Sequence, residues 1–145
     1  MGRINWFRVV LGGLVAGFII NVGEFLLNEP ILGRKWAAAM ESLGRPPMGN
    51  EAITLFVVLG FVLGIGAVYL YTAIRPRYGA GPRTAVCAGI LVWFFAYAYN
   101  GVGMMAMGLF PKSLIVIGTL WGLIELPIAT VFGAWLYKEE ASGGS

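Results

Sequence analysis

Histidine and aspartate are absent from this 145-residue sequence, cysteine occurs once, and charged residues make up only 12% of it. Without His there is no histidine-ligated haem, no His-rich zinc or di-iron centre and no imidazole general base. A single cysteine, Cys87, excludes an intrachain disulfide. With one thiol and no imidazole, Met104, Met105 and Met107 are too poor a ligand set for a soft metal and read as apolar filler. No Ser or Cys stands beside a candidate base, so no catalytic residue, metal or cofactor is assigned and the chain reads as a non-enzyme. The net charge of +3 rests on ten Lys and Arg scattered between apolar runs. There is no basic patch or basic helix face, which argues against nucleic acid as a partner.

Apolar sequence fills the space those absences leave. Hydrophobic residues are 59% of the chain and the mean hydropathy is +0.81, far above the soluble norm. The pattern predicts an all-α polytopic membrane protein: four transmembrane helices in a compact bundle, at about 6–27, 52–74, 84–107 and 113–137, with a short interfacial helix at about 33–43. Together they form one domain, 1–137, followed by a polar tail at 138–145 that reads as disordered. Arg3 and Arg8 ahead of an apolar run imitate a signal peptide, but no small-residue cleavage site follows and three further spans do, so the run reads as a retained first helix. In the interfacial helix, Trp36, Ala37, Met40 and Leu43 share one face. The residues between the second and third spans, Arg75, Pro76, Arg77, Tyr78, Gly79, Gly81, Pro82 and Arg83, read as a basic turn.

Four spans place both termini and that turn on one side, with six Lys and Arg against four on the other. The bias favours both ends in the cytoplasm. Between helices immersed in lipid there is no hydrophobic drive, so small residues must allow close backbone approach. Each span carries such a pair: Gly13 with Gly17, Gly60 with Gly64, Ala85 with Gly89, Gly118 with Gly122. Trp6, Trp36 and Trp135 fit interfacial anchors, whereas Trp93 and Trp121 lie deeper.

The functional clue is Glu125, the one charge in the apolar stretch 118–133. A carboxylate at mid-bilayer costs about 2.5–3.5 kcal/mol on insertion scales, so it is turned inward, protonated or paired. Helical spacing puts it on the face of Gly118, Trp121, Gly122, Ala129 and Gly133, two residues ahead of Pro127, whose missing N–H weakens the helix. Glu24 repeats the theme in the first span, beside Asn21 and Asn28, and the third span contributes one amide, Asn100, within an aromatic run that includes Tyr97. A polar ladder from Glu125 through Asn100 and Asn21 to Glu24 follows from these depths. The ligand-binding or ion-coupling candidates are therefore Glu125, Asn100, Asn21, Glu24, Trp121 and Tyr97. In a purely structural role, Glu125 would donate one interhelical hydrogen bond, for instance to Asn100, and fix packing.

These residues suit a small transport bundle, or one binding a small ligand or lipid, with a proton, a small cation or a lipid as ligand. The alternative is a non-catalytic accessory or assembly subunit of a larger membrane complex. Beyond the bilayer itself, the partners implied are a second copy or other membrane subunits. Ile4, Asn5 and Trp6 at the start, the run Pro30, Ile31, Leu32, Gly33, Arg34, Lys35 and Trp36, and the final hairpin around Asn100 resemble an uncharacterised bacterial family of small four-helix membrane proteins, a domain of unknown function. The resemblance covers nearly the whole chain and implies topology without an activity.

Overall fold

A computed structural model describes residues 2–139. Among them the chain is helical, without strands. The first span is α1 (Trp6–Leu26), capped by the Asn5 side chain, which accepts from the Arg8 N–H at 3.1 Å, and it runs on into a π-helical segment, Leu27–Ile31. Pro30 lies inside that wider turn. Next come α2 (Gly33–Ser42), α3 (Asn50–Tyr78) and α4 (Pro82–Trp93). The third span then passes through a second π-helical segment, Phe94–Ala98, into α5 (Tyr99–Met107). Helix α6 (Lys112–Trp135) completes the chain. Four helices are long and apolar enough to cross a membrane, the spans beginning at Trp6, Asn50, Pro82 and Lys112.

Helix α3 does not stop where its apolar run ends. It continues through Arg75, Pro76 and Arg77 to Tyr78, so the expected basic turn contracts to 79–81. Arg75 and Arg77 thus lie in the last helical turn, where cations complement the helix dipole. Gly79 and Gly81 turn the chain at φ 89° and 130°, conformations that an L side chain resists. The Tyr71 hydroxyl accepts from the Gly81 N–H at 3.2 Å and the Thr84 hydroxyl donates to the Gly79 carbonyl at 2.6 Å, which ties the hairpin to both helices. The polar tail read at 138–145 lies beyond the described residues from 140 onward.

Helix α1 packs against α3 and α6, and α4 packs against α6 and α3. Glycine sets the spacing of the α1–α3 crossing. A methyl group on Gly64 would strike the backbone of Gly13 and Gly17, and one on Gly17 would meet Phe61 Cα at 2.7 Å. Gly12 and Gly133 face each other backbone to backbone across α1 and α6, and Gly89 of α4 lies against Pro127. The pairing read as Gly118 with Gly122 divides: Gly122 receives the Tyr97 ring, whereas Gly118 has open space beside it.

Three apolar layers fill the interior. Val9, Tyr71, Ala85, Ala88, Ala134 and Tyr137 form the layer at the end holding the termini. Ala16, Ile20, Val68, Leu126 and Ala129 form the middle. Leu27, Leu32, Ala39 and Leu114 form the far end, closed by α2. On α2 the inward residues are Ala39 and, half-buried, Trp36 and Met40, whereas Ala37 and Leu43 of the expected face are exposed. Outside, the large apolar side chains Phe18, Phe25, Phe56, Val62, Phe95 and Ile124 are exposed. Small residues inside and bulky apolar ones outside suit a hydrocarbon surround.

Candidate functional site

Side chains on a helix lean toward its N-terminus. Helices α1 and α6 run in opposite directions, so Glu24 leans back toward the end with the termini and Glu125 leans toward the end closed by α2. The two carboxyls, which lie at different depths by residue count, therefore converge. Gly23 makes room for the meeting: a methyl group there would come within 2.9 Å of the Glu125 carboxyl carbon. Glu125 is only 7% exposed and points inward, as its small-residue face predicts.

Both carboxyls reach one hydroxyl. Tyr97 donates to Glu24 Oε1 at 2.9 Å and stands 3.5 Å from Glu125 Oε1. Each carboxyl also has a donor from its own span. The indole N–H of Trp121, one turn before Glu125, donates to Glu125 Oε2 at 2.9 Å. The amide of Asn28, one turn after Glu24, donates to Glu24 Oε2 and to the Glu24 backbone carbonyl, each at 2.9 Å. Asn28 Oδ1 in turn accepts from the Trp36 indole at 2.9 Å. The result is a continuous chain from Trp36 on α2 through Asn28, Glu24 and Tyr97 to Glu125 and Trp121. It lies between the middle and far-end apolar layers, for Tyr97 packs on the former and Trp121 and Trp36 on the latter.

The two π-helical segments place its members: Asn28 lies in Leu27–Ile31 and Tyr97 in Phe94–Ala98. Such segments recur at functional sites because one extra residue re-aims a side chain that the regular helix would point elsewhere. Among the described residues the one ion pair is Arg75 with Glu139, at the end holding the termini. Neither Glu24 nor Glu125 faces a Lys or Arg.

Glu125, Trp121, Glu24 and Tyr97 of the sequence candidates come together. Asn21 and Asn100 do not join them, so the expected ladder through the two amides is replaced by the Tyr97 bridge. Asn21 sits on Gly60 and donates to the Val57 carbonyl at 3.1 Å, linking α1 to α3. Asn100 is exposed and folds back on its own helix, donating to the carbonyls of Ala96 at 3.0 Å and Phe95 at 3.3 Å. Trp36, read as an interfacial anchor, also donates a hydrogen bond to the cluster, and Asn28 is its central amide. The fourfold spacing of Glu24 to Asn28 carries a sequence signal for that pair; no local signal joins either to Trp36.

No group of three or more His, Cys, Asp or Glu able to hold a metal ion occurs among the described residues. Two surface clefts flank the bundle. One, of about 600 Å³, lies at the far end between Met40, Arg45, Pro47 and Phe110, and one, of about 350 Å³, lies at the other end between Tyr71, Pro82, Val131 and Trp135. Neither includes a residue of the carboxyl cluster. No protein-family model, no curated protein and no solved structure matches the chain.

Proposed function

We propose that the protein is a small membrane transport bundle in which Glu24 and Glu125 together form the ion-coupling element. The observation behind this reading is the meeting of two acid side chains, from the first and fourth spans, on one hydroxyl of the third, with no basic residue beside either. An intramembrane acid pair without a cationic partner is costly to maintain and marks ion or proton pathways in membrane proteins. Balancing its charge calls for a proton or another small cation, and exchange of that cation is what couples a bundle to a gradient. The larger number of Lys and Arg on the side of the termini favours a cytoplasmic location for both ends, and the resemblance to a bacterial family favours a bacterial cytoplasmic membrane.

Reconstituted into liposomes, the protein should support cation or proton flux under an imposed gradient. The isosteric variants Glu24→Gln and Glu125→Gln should each lower that flux by at least tenfold. Flux equal to that of the unaltered protein in both variants removes the proposed coupling role. A second reading, an accessory subunit of a membrane complex, draws support from Asn100 and Tyr99, which present polar atoms on the outer face of the third span. Isolation from native membranes with crosslinked partner chains through that face would favour it.

A further inference from the structure

Counting hydrogens in the cluster favours a proton as the cation and one atom as its seat. Two carboxyl groups meet at one hydroxyl, which makes an oxygen-to-oxygen junction with each of them. The hydrogen of Tyr97 fills one, the 2.9 Å contact with Glu24 Oε1. The other junction, 3.5 Å between Tyr97 Oη and Glu125 Oε1, has no hydrogen of its own, because one hydroxyl hydrogen does not serve both partners at useful strength. The remaining oxygens, Glu24 Oε2 and Glu125 Oε2, are occupied by the Asn28 and Trp121 N–H groups. A metal ion needs several oxygen lone pairs converging on one point, and here three of the four carboxyl oxygens already accept a hydrogen bond. A metal would compete with those donors, whereas a proton on the fourth, Glu125 Oε1, displaces none.

We propose that the coupling ion is a proton, held on Glu125 Oε1 and directed at the Tyr97 hydroxyl oxygen, with Tyr97 as a positioning and relay residue. This rests on the reading of the acid pair as the ion-coupling element. Transfer is balanced: the O–H bond on Glu125 breaks as one forms on Tyr97 Oη, while the hydrogen of Tyr97 passes to Glu24 Oε1. Tyr97 is neutral before and after, and one proton has moved from α6 to α1. No other charged group intervenes. Helix α3 has no charged residue in 52–74, and its Tyr69 and Tyr71 lie toward the other end of the bundle. Glu29 of the first π-helical segment, Arg34, Lys35 and Glu41 of α2, Tyr99 of α5 and Lys112 of α6 are all exposed. The third span has one further charge, Arg83, exposed at its opposite end.

Infrared difference spectroscopy of the full chain in lipid tests the assignment, combined with flux in the same liposomes. The expected result is a protonated-carboxyl C=O band that is lost in Glu125→Gln, kept in Glu24→Gln, and shifted to higher frequency in Tyr97→Phe, where the hydrogen-bond acceptor is gone. Sodium, potassium, magnesium or calcium chloride at constant pH should leave the band unmoved. Loss of the band on adding one of these salts overturns the proton in favour of a metal cation and leaves the coupling reading standing. Loss in Glu24→Gln with retention in Glu125→Gln overturns the placement. A band that behaves as expected, with flux untouched by both Glu→Gln variants, keeps the proton assignment and rejects the coupling reading.

Discussion

Gly23 has no room for a side chain, because the Glu125 carboxyl occupies the space a methyl group would take. Gly23→Ala should therefore displace the Glu125 carboxyl from the Tyr97 hydroxyl and the Trp121 indole, costing ~1–3 kcal/mol through the polar atoms left without partners. Gly118, four residues along α6 from the glycine that carries the Tyr97 ring, has open space beside it. Gly118→Ala should then be neutral or stabilising, by up to ~1 kcal/mol from helix propensity. Thermal unfolding in one detergent decides: a lowered midpoint for Gly23→Ala beside an unchanged or raised one for Gly118→Ala is the expected contrast. Equal midpoints would mean that the carboxyl does not depend on the space Gly23 leaves. The inward direction of Glu125 was legible in the sequence, since it shares a helical face with Gly122, Ala129 and Gly133, all buried. Its partner Glu24 was harder to place, because residue count alone separates the two in depth and only the opposed lean of antiparallel helices brings them together.

At the scale of elements, the π-helical segment Phe94–Ala98 explains why, of the two candidates on the third span, the fold turns Tyr97 inward and Asn100 outward. Extending the buried positions Ala85 and Ala88–Gly89 by regular helical steps leads to Ala96 and Asn100. The extra residue of the π turn slips the inward face by one position, a rotation of about 100°. The third span then turns Tyr97 and Gly101 inward and Asn100 outward. Nothing in the run FFAYA announces that slip, because aromatic side chains pack on either face. Helix α2 was legible as an amphipathic segment, but not its attachment, which depends on the Trp36 to Asn28 bond and on the edge-on contact of Trp36 with Phe110 at 5.7 Å. Trp36→Phe keeps a ring against Phe110 and deletes the N–H donor. It should loosen α2 by ~1 kcal/mol, seen as about fivefold faster amide exchange in 33–42 with exchange in the four long helices unchanged. Unaltered exchange across 33–42 would show that the apolar contact alone holds α2.

For the whole molecule, the division between small residues within and bulky apolar residues without was written into composition. The side of the membrane each end occupies rests on charge alone. Arg3, Arg8, Arg75, Arg77, Arg83 and Lys138 belong to the end with the termini, against Arg34, Lys35, Arg45 and Lys112 at the other. The fold concentrates the first group further, because α3 carries Arg75 and Arg77 in its last turn and the Arg75 guanidinium lies 5.5 Å from the centre of the Tyr137 ring. Its pairing with Glu139 does not weaken the bias, since acidic residues contribute little to orientation. Reporter domains fused in turn to each terminus should both read as cytoplasmic, and a cysteine introduced at Gly44, between α2 and α3, should react with an impermeant reagent from outside. Reducing the bias by Arg75→Ala, Arg77→Ala and Arg83→Ala together leaves three basic residues against four, which should yield a mixed population in which both kinds of reporter signal are seen. A triple variant that keeps a single orientation would place control of topology outside this turn, in Arg3 and Arg8 ahead of the first span.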